Sequence, residues 1–205
     1  MMLMDKSTTV AAFVVTALAV SATTAAAAAG DWVMRFGAHD VVPKNNNSQI
    51  ANVDSAASLT LSASYFYTDH IAAEVLAAVP FKHDIKLQAD GSKVASTKHL
   101  PPSVFMQYHF APNASVRPYA GIGLNYTTFF GESTRGALAG TKLKLTDSWG
   151  LAAQAGVDFA IDDRWAVNVN VHYFDIDTEA KVNGAKAATV HIDPVGYGLM
   201  LSRKF

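Results

Sequence analysis

The segment Trp149–Phe159 reads WGLAAQAGVDF, and apolar residues occupy every second position of it from Trp149 onward. The polar residues Gln154 and Asp158 both fall on the opposite parity. A period of two is typical of a β-strand whose two faces meet different surroundings, whereas an amphipathic helix needs a period of 3.6 residues. The segment therefore predicts a strand with one apolar and one polar or small face.

Seven further segments repeat this alternation: Trp32–Phe36, Leu59–Tyr67, Ile71–Val79, Val104–Phe110, Pro118–Tyr126, Trp165–Tyr173 and Val195–Leu201. Membrane-spanning β-strands need roughly 9–11 residues, and these segments come near that length. After residue 30 no apolar run is long enough for a membrane helix, so a chain that enters lipid must close its sheet into a barrel. The pattern predicts an all-β fold, an eight-stranded antiparallel transmembrane β-barrel.

The composition agrees with a non-aqueous surround. Only 16% of the 205 residues are charged, and half are apolar, whereas a soluble domain carries about 25% charged residues. The net charge is −1, which argues against a nucleic-acid partner. The chain has no cysteine, so disulfides, thiolate metal sites and cysteine nucleophiles are excluded.

The first 29 residues have the pattern of a cleavable signal peptide. Lys6 precedes the apolar run Val10–Val20, and the alanine tract Ala25–Ala29 follows it. We expect a signal peptide over residues 1–29 and the barrel domain over 30–205. The alternative is an uncleaved anchor helix, although the apolar run is short for a span of about 20 residues.

The connections differ in length along the chain. Polar stretches at 43–56, 81–99, 131–146 and 176–191 are long, whereas the turns near 68–70, 111–116 and 161–164 are short. Short periplasmic turns and longer outer loops are typical of bacterial outer-membrane barrels. The long stretches are therefore expected to be outer loops.

Aromatic residues concentrate near the predicted strand ends. Tyr65, Tyr108 and Trp165 flank the short turns, while Trp149 and Tyr173 lie toward the long connections. Two such groups predict aromatic girdles at the two lipid interfaces. A soluble β-sandwich would explain the alternation, but it would not confine aromatics to strand ends.

The second parity predicts what fills the lumen. Its polar members are expected to form a plug of paired charges and amides, because an eight-stranded barrel is only wide enough for side chains: Arg35, Glu74, Gln107, Gln154, Asp158 and Lys204. Toward the long connections this parity becomes apolar, with Leu76, Pro80, Phe105 and Phe129, and with His172 at a similar height. That region is either a pocket for a small apolar solute or simple packing of the barrel mouth.

Several strings taken in order resemble the OmpW family of outer-membrane barrels, which includes alkane-import relatives. They include DWVMRFGAHDVVP (31–43), RPYAGIGLNYTTFF (117–130) and DRWAVNVNVHYFDIDT (163–178). The resemblance implies a hydrophobic channel in the outer half, with inward passage of small hydrophobic molecules and lateral exit through the wall into the membrane. It also implies that Leu76 and His172 narrow the channel floor, although close relatives often carry tryptophan where this chain has His172. Phe205 matches the terminal aromatic residue that the barrel assembly machinery reads.

The first functional hypothesis is thus a passive outer-membrane channel for small hydrophobic molecules. The alternative is a surface interaction protein or receptor, whose long loops contact phage, bacteriocin or host. The seven histidines show no spacing such as H-E-x-x-H, so neither an enzyme nor a metal or cofactor is expected. The expected partners are outer-membrane lipid and lipopolysaccharide, small hydrophobic solutes and the barrel assembly machinery, and a monomer is expected.

Overall fold

The computed structural model describes residues 27–44, 48 and 51–205. Most of the predicted signal peptide, residues 1–26, lies outside this range, so its cleavage stays a prediction. Among the described residues, no helix has the length and apolar content needed to cross a membrane. The described chain forms the following elements: β1 (Trp32–Val42), β2 (Ala51–Val53), β3 (Ala56–Phe66), β4 (Ile71–Ala78), β5 (Phe81–Leu87), β6 (Lys93–Leu100), β7 (Ser103–His109), β8 (Val116–Thr134), the 3₁₀ turn η1 (Gly136–Leu138), β9 (Leu143–Leu145), β10 (Ser148–Ala160), β11 (Trp165–Phe174), β12 (Asp177–Val182), β13 (Ala185–His191) and β14 (Val195–Lys204).

Eight of these strands close into an antiparallel barrel in the order β1, β3, β4, β7, β8, β10, β11, β14 and back to β1. The closing pair joins the first and last strands of the barrel, β1 and β14, with Val33 opposite Lys204 and Val42 opposite Val195. Closure leaves no unpaired edge, which is the condition for a sheet in lipid. The predicted fold is confirmed.

The outer face of this barrel is apolar. Ile122, Leu151 and Leu199 are 74%, 67% and 63% exposed, and they lie on three different strands. Contiguous apolar surface of this kind is unfavourable in water at roughly 25 cal/mol per Å². The exposed parity of each strand therefore faces lipid, and the buried parity faces the lumen.

The short turns join β3 to β4, β7 to β8 and β10 to β11 at one end of the barrel, as predicted. At the other end the expectation of long loops was wrong in part. β2, β5 and β6 form a sheet with the outer part of β8, and β9 pairs with β12, which pairs with β13. These strands extend the wall beyond the barrel rim because segments distant in sequence pair with one another, as Ser96 of β6 does with Ser133 of β8.

Candidate functional site

A buried cluster of charges occupies the barrel lumen and is centred on Arg35. Its Nη1 lies 3.0 Å from Oε2 of Glu74, and its Nη2 lies 2.9 Å from Oδ2 of Asp158. The three residues come from β1, β4 and β10, at inward positions of each strand. Arg35 is only 1% exposed. Buried ions are tolerated when each is paired and hydrogen-bonded. We call these three residues and their hydrogen-bond partners the charged plug.

Neutral donors complete the charged plug. They lie 2.8–3.2 Å from the oxygens of Glu74 and Asp158 and come from four strands. These donors are Ser62, Ser64, Gln154, Asn168 and Ser202. Side chains from around the barrel therefore meet and fill the lumen at this height.

Two residues predicted for the plug contact residues outside it. Gln107 is buried, but its amide oxygen contacts Nε2 of His109 at 3.2 Å rather than an ion pair. Lys204 is the last residue of β14, and its Nζ lies 4.0 Å from Asp31 at the end of the barrel where β1 begins and β14 ends. Lys204 also lines a small cavity together with Arg35 and Asp158, so its assignment to the plug stays a prediction.

A cavity of about 150 Å³ lies on the long-connection side of the lumen and is partly open to solvent. We call it the outer cavity. Its lining is almost entirely aliphatic and aromatic, and it comes from the barrel strands and from both outer sheets. Representative lining residues are Val41, Val94, Phe129, Leu145, Ile176 and Ile192.

The predicted solute path divides between this cavity and the layer beneath it. Phe129 lines the outer cavity, while Leu76 and Phe105 belong with it to one buried apolar cluster. His172 is buried against the rings of His39 and Phe105, with ring centroids 5.1 and 5.5 Å away. Neither ring nitrogen of His172 has a hydrogen-bond partner within the described chain.

A second cavity of about 20 Å³, the floor cavity, shares Val41 with the outer cavity. Its other lining residues include His39, Leu76, Ala78, Phe81, Pro101 and Phe174. A space of this size holds about one water molecule. It therefore lies at the narrow end of the apolar region.

Pro80 lines neither of these cavities, and its place on the solute path stays a prediction. Leu76 and Ala78 face inward at even positions, but β4 ends at Ala78 and Pro80 is exposed. β5 then starts with Phe81 buried, so the inward parity becomes odd. Proline interrupts a ladder because it has no N–H to donate, and the alternation shifts by one residue across the interruption.

The same interruption breaks the pairing between two neighbouring stretches of the wall. Pairing of β4 with β7 ends at Leu76 and Ser103, and pairing of β5 with β6 resumes at Phe81 and His99. The intervening residues, 77–80 and 100–102, contain three prolines. We call these two stretches the wall break. Its flanks stay joined to their other neighbours, because Val79 N–H donates to Leu59 and Tyr126 N–H donates to Pro102.

The sequence analysis missed two histidines, His83 and His99, which both line the outer cavity. Their rings stack with centroids 4.8 Å apart, and His99 also stacks on Phe81 at 5.3 Å. Both lie in the long connection 81–99 that is expected to be an outer loop, although the run FKHDIKL (81–87) alternates as a strand does. Lys82 and Lys98 lie opposite one another on the outward face, next to His83 and His99 in sequence. Because charged side chains are costly in lipid, the two histidines lie outside the hydrocarbon layer.

Burial determines the charge of both histidines. It lowers the pKa of His83 below its ordinary value, and burial together with His83 lowers the pKa of His99 to about 3. Both rings are therefore neutral at neutral pH. Nδ1 of His83 lies 2.5 Å from the carbonyl oxygen of Asp54, which can only accept a hydrogen bond.

The five predicted girdle residues lie at the two ends of the barrel. Near the short turns the ring centroids of Tyr65 and Trp32 lie 5.2 Å apart, and those of Tyr108 and Phe110 also lie 5.2 Å apart. Trp165 stands in the same region, under the guanidinium of Arg203 at 5.1 Å. At the opposite end Trp149 contacts Tyr126 at 4.7 Å, and Tyr173 pairs with Val195. Their role as membrane anchors stays a prediction.

Phe205 follows β14, and its backbone N–H donates to the carbonyl of Trp32 at 2.8 Å. The terminal residue thus extends the closing strand pair, and its ring is exposed. An exposed terminal aromatic is accessible to an assembly factor, but this role stays a prediction.

Comparisons with known proteins agree with this architecture. The OmpW family model matches residues 28–205. Outer membrane protein W of Vibrio cholerae is 42% identical over 186 residues, covering 80% of this chain and 84% of the relative. Outer membrane protein W of Escherichia coli K12 is 42% identical over 202 residues, covering 92% and 94%. The crystal structure of the outer membrane protein OprG from Pseudomonas aeruginosa superposes with a TM-score of 0.81 at 34% identity, covering 90% of this chain and 99% of that one.

Proposed function

Because this chain belongs to the OmpW family and lies in the cell outer membrane, we propose that it is a channel for the passive uptake of small hydrophobic molecules. The molecules enter the outer cavity from outside and leave sideways through the wall break into the membrane. The proposal involves no catalytic step.

The observation that carries this proposal is the outer cavity lying above the charged plug. An apolar solute is stabilised in such a cavity by roughly 25 cal/mol for each Å² of apolar surface removed from water. Passing straight through the barrel would require separating Arg35 from Glu74 and Asp158, which are buried and paired at 3.0 and 2.9 Å. Breaking a buried ion pair costs several kcal/mol. The lumen therefore favours entry and opposes straight passage.

The wall break supports a lateral exit. It lies where the floor cavity meets the wall, since Ala78 and Pro101 of the break line that cavity, as do the flanking Leu76 and Phe81. Pro80, Pro101 and Pro102 have no N–H to donate, so the two stretches of the wall break form fewer ladder hydrogen bonds with each other and can separate at lower cost. A small opening here joins the apolar interior to lipid without exposing polar backbone over a long stretch.

The proposal is tested by measuring uptake of a graded series of hydrophobic solutes into cells with and without the protein. The chain has no cysteine of its own, so introduced pairs can be cross-linked cleanly. Continuing the register of Leu76 and Ser103 places Ala77 opposite Pro102 across the wall break. A cross-link between Ala77→Cys and Pro102→Cys should slow uptake, and reversal should restore it.

The matched control is a pair in an intact part of the wall, Ala63→Cys with Val75→Cys, which lie opposite each other on β3 and β4. Cross-linking this pair should leave uptake unchanged. Equal uptake with and without the protein would refute the channel and favour the alternative, a surface contact made by the outer sheets. Slowing by both cross-links alike would refute the lateral exit alone.

A further inference from the structure

The outer cavity has one polar feature that its apolar lining does not explain. Nε2 of His83 is buried and has no hydrogen-bond partner within the described chain. His83 is 2% exposed and lies on the cavity wall. Leaving a buried polar atom unpaired is unfavourable, and such atoms usually mark a missing partner.

The chemistry of the missing partner follows from the other ring nitrogen. Nδ1 of His83 lies 2.5 Å from the carbonyl oxygen of Asp54, so Nδ1 carries the hydrogen and donates it. The backbone holds that carbonyl in place, because the N–H of Asp54 donates to the backbone carbonyl of Asp84 and Val53 pairs with Ile85. The ring is neutral near neutral pH, since burial lowers its pKa. Nε2 is then a lone-pair acceptor, and its partner must be a donor.

The surroundings of His83 favour a flat ligand. His83 and His99 are stacked at 4.8 Å with their planes 21° apart, and Phe81 continues the stack at 5.3 Å. Phe129 lies 5.9 Å from His99 at an angle of 45°. Aromatic faces and edges arranged in this way pack well against another ring. A cavity of about 150 Å³ also suits a small ring, since an engineered apolar cavity of that size binds benzene.

We infer that the outer cavity binds a small flat aromatic molecule bearing one N–H or O–H group, which donates a hydrogen bond to Nε2 of His83. The ring packs against the stack of His83 and His99, and the single donor satisfies the buried acceptor. This inference deepens the proposed function, because it names the class of molecule that the channel selects. A purely aliphatic solute fills the cavity but leaves the acceptor unpaired.

The test compares indole with 1-methylindole on the full-length barrel purified in detergent. Indole has one N–H donor, and methylation removes that donor while keeping the ring. Equilibrium dialysis gives the ratio of the two affinities for each variant, so partition into micelles affects all variants equally. The ¹⁵N chemical shift of Nε2 in histidine-labelled protein reports the hydrogen bond itself.

Indole should move the Nε2 signal of His83, and 1-methylindole should not. In His83→Phe, which keeps a stacking ring, indole should bind about 3- to 10-fold more weakly, the change expected for one neutral hydrogen bond. The affinity of 1-methylindole should stay constant. Thr97→Val is the matched control. Thr97 lines the same cavity and pairs with His83 across β5 and β6, and its hydroxyl donates to the backbone carbonyl of Lys98 at 3.2 Å.

Equal binding of the two ligands to the wild-type protein, with an unmoved Nε2 signal, would overturn the inference even if His83→Phe did not fold. If Thr97→Val lost its preference for indole over 1-methylindole as much as His83→Phe did, the role of His83 would be overturned. Binding is measured without transport, so its failure is distinct from failure of uptake in cells. Selective binding without uptake would instead refute the channel and leave the ligand site standing.

Discussion

Replacing Arg35 with Met removes the cation that Glu74 and Asp158 share while keeping most of the side-chain volume. Both residues are at most 5% exposed, and each carboxylate loses a contact of about 3 Å to the guanidinium. Removing one partner of a buried ion pair costs roughly 3–5 kcal/mol, because a buried charge is left uncompensated. The remaining hydroxyl and amide donors around the carboxylates keep the cost within that range rather than doubling it. We therefore expect Arg35→Met to lower the free energy of unfolding by about 3–5 kcal/mol.

The assay is equilibrium unfolding in urea with detergent or lipid present, followed by the mobility difference between folded and heated protein on a gel. Arg35→Met combined with Glu74→Gln and Asp158→Asn removes all three charges and should recover most of the loss, because neutral groups carry a smaller desolvation penalty. Lys44→Met is the exposed control. It breaks a surface ion pair with Asp193, which is worth about 0–1 kcal/mol.

Two results would refute this reasoning about the charged plug. A loss below about 1 kcal/mol in Arg35→Met would mean that the guanidinium contributes no more than a surface charge. A triple variant as unstable as the single one would mean that the cost comes from shape rather than from charge.

Three further predictions concern the channel floor, the lipid-facing wall and the outer sheet. Leu76→Arg places a charge in the apolar layer beneath the outer cavity and should reduce uptake of an apolar solute, whereas Leu76→Met should not; unchanged uptake in cells producing folded Leu76→Arg would count against the channel. Ile122→Arg should lower the free energy of unfolding in lipid by about 2–4 kcal/mol, because Ile122 is 74% exposed on the lipid-facing side, and Ile122→Leu is the neutral control. Burial, together with His83, lowers the pKa of His99 from 6.5 to about 3 in the folded protein, so the unfolded outer sheet binds a proton at a higher pH than the folded sheet does. The free energy of unfolding contributed by His99 is therefore highest above pH 6.5, and it falls by about 1.4 kcal/mol per pH unit between pH 6.5 and about 3. Limited proteolysis of the outer sheet should therefore accelerate between pH 6.5 and 4 in the wild type, and an equal acceleration in His99→Phe would contradict this assignment.

The transmembrane part of the barrel could be predicted from the sequence because its rule is local. Side chains of a strand alternate between lipid and lumen, so parity alone places Ile122 outside and Arg35 inside. Short turns with a polar cap, such as the one in which Asp162 accepts hydrogen bonds from the backbones of Arg164 and Trp165, are equally local. Residues near in sequence determine both features.

The outer part of the molecule could not be predicted in the same way. β6 pairs with the outer end of β8, and β9 pairs with β12, across separations of 28 to 39 residues. The segments are polar on their outward face and short, so they resemble loops until partners are present. The inward position of His83 follows from a shift of parity at Pro80, which the uniform alternation before it did not indicate.

Alternation along the chain was enough to predict the class of fold, the number of membrane strands, the lipid-facing parity and the presence of balanced charge in the lumen. The heights and neighbours of side chains became visible only in the folded barrel: the contact of Lys204 with Asp31, the wall break between β4 and β7, and the stacked histidines on the outer cavity. The physical reason is that alternation along a strand specifies a direction across the sheet. Distance along the barrel and the partner across the lumen depend on register, which is set only when the whole sheet closes.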